Sequence, residues 1–151
     1  MMSGICYADN QRFIFLGENS TSGRFYFDTE TVKFGRNANG VVDPMLIDVW
    51  TKLIYSEKGK QFVINASQGV NGAPNFEDLR YNFRHNLLDM KQYKYMNLGV
   101  AFYGDNGLIT NEPDNSQKWN DIIPESTMEI NAGIIGKWIL NNWDMVMTRS
   151  K

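Results

Sequence analysis

The stretch WNDIIPESTMEI, Trp119 to Ile130, reads as the joint at which a strand hands over to a helix. Pro124 lacks an amide hydrogen and pushes Ile123 away from helical angles, which closes the preceding segment. Ser126 and Glu129 then stand in the S-x-x-E spacing of a capping box, where each side chain accepts from a backbone amide of the other. Beyond the box, Ile130, Ile134, Ile135, Trp138 and Ile139 give a broad apolar face that runs to about Asn142. Gly133 and Gly136 each cost up to about 1 kcal/mol relative to alanine, so packing has to hold this helix. Their missing side chains predict a close approach to a strand. Trp119, Ile122 and Ile123 have a second use, lining a pocket, but filling the joint is the preferred reading.

Upstream of the joint the dominant period is two, the mark of strands. Arg12 to Leu16 is a short apolar run, closed by the turn residues Gly17 to Ser20. Arg24 to Phe34 alternates Phe25 and Phe27 against Tyr26 and Asp28 and ends at Gly35. Leu46 to Tyr55 sets Ile47, Val49, Leu53 and Tyr55 on one face, with Asp48, Trp50 and Lys52 on the other. Trp50 predicts that this strand is covered on both sides for part of its length. Glu57 to Lys60 reads as a turn and Gln61 to Ile64 as further strand. Gly69, Gly72 and Pro74 make Ser67 to Asn75 a loop, with Asn75 a weak cap for one turn through Leu79. Arg80 to Tyr103 reads as two long strands bent near Asp89-Met90-Lys91. Asn106-Gly107 predicts a type I′ turn, which joins Leu98–Tyr103 to Leu108–Thr110.

Composition bounds what this fold can do. A chain of 151 residues, 42% hydrophobic and 21% charged, is the size and kind of one globular domain. Fifteen basic against seventeen acidic side chains leave a net charge of −2, which gives no electrostatic reason to bind nucleic acid. No window reaches the roughly 18 apolar residues of a membrane span. Cys6 and His85 are each the only residue of their kind, so the chain builds no intrachain disulfide, thiolate zinc cluster or His-His metal site.

Residues 1–8 read as the remnant of an export signal cleaved after Ala8, or as a polar tail, and residues 9–151 as a single domain. His85 and Asp89 fall on one face of a strand, but no nucleophile accompanies them, so no catalytic residue is assigned. Asp114, Asn115 and Asp121 lack the regular spacing of a calcium loop and read as plain loop. No GxGxxG, P-loop or GxSxG occurs, and no cofactor or metal is expected. The aromatic supply is another matter: four Trp, seven Tyr and nine Phe exceed what one sheet-helix core needs. Tyr81, Tyr93, Tyr95 and Tyr103 fall in adjacent predicted strands, where they form a cross-strand ladder that either stabilises the sheet or meets a partner.

Three landmarks in order, DVWTKLIYSEKGK, LLDMKQYKYMNLGVAFYGDNGLI and KWNDIIPESTMEI, resemble the surface-adhesin protein E family of small exported bacterial proteins. The matching positions are Val49, Trp50 and Lys52, then Tyr103 with Gly107, then Trp119, Ile122, Pro124 and Ser126. The resemblance spans Arg12 to Trp143. It implies an α+β fold, with one antiparallel β-sheet of about five to six strands packed against a C-terminal α-helix. It also implies an exported protein, periplasmic, on the cell surface or secreted, that binds host matrix or serum proteins or envelope partners without catalysis, and that pairs as a homodimer. The reading set against it is a small-ligand-binding protein or hydrolase with its pocket between the sheet and the C-terminal helix.

Overall fold

The computed structural model describes residues 11–151, so Cys6 and the cleavage point after Ala8 lie outside the described residues. β1 (Phe13–Asn19), β2 (Gly23–Asp28), β3 (Lys33–Arg36) and β4 (Val42–Tyr55) are followed by α1 (Glu57–Ser67). Then come β5 (Leu79–Asp89), β6 (Lys94–Gly104), β7 (Gly107–Pro113) and β8 (Trp119–Asp121), and last α2 (Thr127–Asn141) and α3 (Trp143–Ser150). The fold is α+β, but its sheet has eight strands in place of the expected five or six. The order is β1-β2-β4-β5-β6-β7, with β3 beside β4 and β8 beside β6, and every pairing is antiparallel.

The two extra strands come from long edges shared out between short neighbours. β4 pairs β2 over Thr51–Tyr55 and β3 over Val42–Asp48. The run read as one strand from Arg24 to Phe34 is broken at Thr29–Thr31 because Asp28 is buried and held by Arg12 at 2.8 Å. The Thr29 and Thr31 hydroxyls then donate to the backbone carbonyls of Arg12 and Asp28, which fixes the corner. The sheet also curls. Phe13 on β1 and Phe83 on β5 are three strand steps apart, about 14 Å in a flat sheet, yet their ring centroids lie 6.0 Å from one another.

The face beneath the helices holds the main core: Phe27, Val32, Phe34, Ile47, Val49 and Leu88 from the sheet side, with Ile122, Ala132, Ile135, Ile139 and Val146 from the joint and the helices. Trp119–Ile130 is the strand-to-helix joint its sequence predicts. Only Ile122 of the isoleucine pair is buried there, and Ile123 is exposed. Ser126 caps α2 by accepting from the Glu129 amide, whereas the Glu129 carboxylate accepts from Glu125 and not from Ser126. The buried face of α2 is Ala132, Ile135 and Ile139. Ile130 is 56% exposed, and a Cβ at Gly133 or Gly136 would meet nothing within 4 Å, so the expected close approach to a strand is absent.

Three local expectations give way to tertiary contacts. Glu57 to Ile64 is helix, not turn and strand, because Ser56 caps it through the Gly59 amide and Ile64 packs with Phe76 and Leu79 in a second small core. At the β6–β7 hairpin, Gly104 pairs with Gly107 and only Gly107 has positive φ, at 104°, so the connection is not the type I′ turn centred on Asn106-Gly107. The terminal helix is two helices. At Asn142 the chain turns, with its side chain donating to the Trp138 carbonyl, and α3 crosses back to β3. There Trp143 packs on Phe34 at 5.0 Å and Ser150 accepts from the buried Phe34 amide at 2.7 Å.

Candidate binding face

The other face of the curled sheet carries a row of side chains in direct register: Phe15 opposite Tyr26, Tyr26 opposite Lys52, Lys52 opposite Phe83, and Phe83 opposite Ala101. The Lys52 ammonium is enclosed by rings, 4.4 Å from the centre of Tyr81, 4.8 Å from Phe13 and 5.5 Å from Phe83. Rings attract a cation through their negative faces. Burial, then the like charge of Arg12, lowers the Lys52 pKa from its ordinary value. Small Ala101 leaves room beside these rings, and a hollow of about 290 Å³ opens there between Trp50, Phe83, Tyr103 and Leu108. None of the ring residues from Phe13 to Tyr103 on this face belongs to the cores beneath the helices.

Of the four tyrosines expected to form a ladder, two do. Tyr81 and Tyr103 are register partners whose rings stack at 5.1 Å and 8°, with Phe83 edge-on to both. Tyr95 lies on the opposite face, against the main core beside Leu88. The reason is a bulge: His85 pairs with Gly99 but Asn86 pairs with Asn97, so Leu98 is an extra residue and every side chain before it changes face. Tyr93 sits in the turn between β5 and β6 at φ 59°, where its hydroxyl donates to Glu129 at 2.7 Å. That bond raises the Tyr93 pKa and lowers that of Glu129.

His85 also belongs to this face, and its partner is not Asp89. The imidazole stacks on Trp50 at 4.6 Å and its Nε2 lies 2.7 Å from Asp48 on the neighbouring strand. Asp89 instead accepts from the amides of Lys91 and Gln92 and shapes the turn. Sequence reading missed Lys52, Phe13 and Phe83 as members of one cluster. The alternation of Trp50 and Lys52 against Val49 and Leu53 is the signal that could have found them. Asp114 closes its own loop by accepting from Ser116, and among the described residues no three His, Cys, Asp or Glu side chains converge as a metal site. Among the described residues no helix is long and apolar enough to cross a membrane.

Between the sheet and α2 lies a cavity of about 400 Å³. Its polar lining includes Thr51, Asn82, Arg84, Asn86 and Asn131, and among the described residues neither an imidazole nor a carboxylate lines it.

A curled antiparallel sheet with helices on one face and an aromatic hollow on the other defines the class, an α+β protein whose sheet is open on one side. No family model matches the chain, and no curated protein does. Among solved structures it is similar to protein E from non-typeable Haemophilus influenzae, at 16% identity and a TM-score of 0.53 over 87% of this chain and 79% of that one. A second crystal form of Haemophilus influenzae protein E gives 15% identity and a TM-score of 0.52, covering 87% and 89% of the two chains. The chain has a protein E-like fold, as the sequence landmarks imply.

Proposed function

We propose that this chain is an exported, non-enzymatic binding protein that takes a protein partner on its aromatic sheet face. One observation carries the reading: Tyr81, Tyr103, Phe83 and Lys52 form a connected, half-exposed cluster outside both cores. Tyrosine pairs offer large rigid area at little entropic cost, and an ordered lysine among them adds a charge that an acidic or carbonyl-rich segment can meet. The protein E-like fold supports a place at the bacterial surface or in the periplasm, with host matrix or serum proteins or envelope neighbours as partners. Of the four tyrosines first considered, Tyr81 and Tyr103 are the contact residues in this reading. Tyr93 and Tyr95 support the joint and the core.

The test is equilibrium binding of the purified protein to immobilised laminin, vitronectin and plasminogen at physiological salt, beside Tyr81→Ser and Tyr103→Ser variants. Saturable binding to one target that falls at least tenfold in both variants, with unchanged melting, supports the face. Binding indifferent to both variants removes it from that role. Sedimentation across a concentration series answers the separate expectation of a homodimer.

A further inference from the structure

The cavity between the sheet and α2 has no part in the binding face, which lies on the other side of the sheet. The apolar part of its wall is Phe25, Val49, Leu53 and Leu88 from the strands, with Met128 and Ile135 from the helix. Its volume of about 400 Å³ falls within the range of small-molecule sites and well above the space of single buried waters. Into this apolar space the sheet sends two amides. Asn82 is 2% exposed and Asn86 4%.

Burying an amide is costly unless its groups are paired, and both pair their N–H groups. Asn82 donates to the Tyr55 hydroxyl at 2.7 Å, and Asn86 donates to the Thr51 hydroxyl and the Arg84 carbonyl at 3.2 Å each. Their amide oxygens accept from no group among the described residues. No enclosed polar side-chain atom there is left unpaired either. The two oxygens therefore face open space, and the cavity that both residues line is that space.

Arg84 stands between them on the same face of β5, lines the same cavity, is exposed, and has no acidic partner among the described residues. Its charge is felt inside: it opposes the rise that burial imposes on the Tyr55 phenol, which places the guanidinium near the Tyr55–Asn82 pair. An apolar chamber, two inward acceptors and one free cation at the rim specify a ligand. We infer that this cavity binds a small amphipathic carboxylic acid, its apolar chain between the sheet and α2, its carboxylate on Arg84, and a hydroxyl near that carboxylate donating to Asn82 or Asn86. An aliphatic 3-hydroxy acid has this chemistry.

The experiment is calorimetric titration of the full chain with 3-hydroxydecanoate below its micelle concentration, with decanoate and 1-decanol as comparison ligands. The expected result is one saturable site for the hydroxy acid. Decanoate, lacking the donor, should bind about five- to tenfold more weakly, the worth of one hydrogen bond, and decanol more weakly still. Arg84→Met, a change at an exposed position, should weaken the hydroxy acid at least tenfold. Met128→Trp should fill the chamber and abolish binding while the circular dichroism spectrum and binding to any protein partner stay unchanged. No saturable heat, or equal binding of all three ligands that ignores both variants, overturns the site. Equal affinity for decanoate and the hydroxy acid overturns the role given to the two amides.

Discussion

His85 lies flat on Trp50, with ring centroids 4.6 Å apart and planes inclined by 5°, and the two residues are register partners on β5 and β4. Asp48, two residues before Trp50 and on the same face, takes the imidazole Nε2 at 2.7 Å. The single histidine is thus used up by a stack and a hydrogen bond, both between adjacent strands. Its role is to clamp β4 to β5 on the aromatic face of the sheet. His85→Ala should lose the stack and leave Asp48 unpaired, at a cost of about 1–2 kcal/mol in urea unfolding. His85→Phe, which keeps a ring on Trp50, should lose about half as much. An alanine variant as stable as the parent would show that the stack holds nothing.

Glycine positions separate two kinds of constraint. At Gly59 an added Cβ would lie 2.2 Å from the Ser22 carbonyl oxygen, so the first turn of α1 sits directly on the β1–β2 corner. Gly59→Ala must lift that turn and should cost about 1–3 kcal/mol. Gly133 and Gly136 have open space where a Cβ would go. Alanine there removes only the helix penalty, so each substitution should gain up to about 1 kcal/mol. Thermal unfolding of the three variants checks the contrast, and destabilisation by Gly133→Ala would mean that α2 touches something on its outer side.

The Tyr93–Glu129 bond ties the β5–β6 turn to the start of α2, and it should report on pH from both ends. Glu129 has a folded pKa lowered first by the Tyr93 hydroxyl and then by the Glu125 amide. Its contribution is present above the unfolded glutamate value of 4.5 and is lost as pH falls through the lower folded value. Tyr93 has a folded pKa raised mainly by the same bond, so its contribution is complete below the unfolded value of 10.0 and is lost as pH rises through the folded one. The difference in melting temperature between the parent and Tyr93→Phe should be steady at neutral pH and shrink in acid and in alkali. A difference that does not change with pH would show that the bond is not formed in solution.

Much of this fold is written locally. The alternation of Ile47 and Val49 against Trp50 and Lys52 gives β4 its two faces, and Pro124 with Ser126 gives the joint. What escaped the sequence depends on partners far along the chain. Phe62, Val63 and Ile64 suit a strand as well as a helix, and the choice falls to the Ser56 cap and to packing on Phe76 and Leu79. The break after Asp28 depends on Arg12, the loss of Tyr95 from the ladder depends on one bulged residue, Leu98, and Tyr93 is lost to the β5–β6 turn. The period of two counts Tyr93, Tyr95 and Tyr103 onto one face, and a single insertion undoes that count. The cavity was legible only as a place. Its acceptors, Asn82 and Asn86, look like ordinary strand polar residues until α2 and Phe25 close over them.

α3 is the element that sequence pattern left out, and Ser150 is the residue on which its docking turns. The Ser150 hydroxyl accepts from the buried Phe34 amide at 2.7 Å and donates to the Val146 carbonyl at 2.6 Å, while Arg149 donates to the carbonyls of Thr29 and Val32. Phe34 cannot turn to water for a partner because it is 3% exposed and covered by Trp143. Ser150→Ala should therefore leave a buried N–H unsatisfied and cost about 1–3 kcal/mol, more than the loss of an exposed hydrogen bond. Hydrogen exchange locates the damage as well as its size. The Phe34 amide should exchange faster in the variant while the central β4–β5 amides keep their relative protection. If Phe34 stays as protected as in the parent, α3 is held by Arg149 and Val146 instead, and Arg149→Met should then produce the loss.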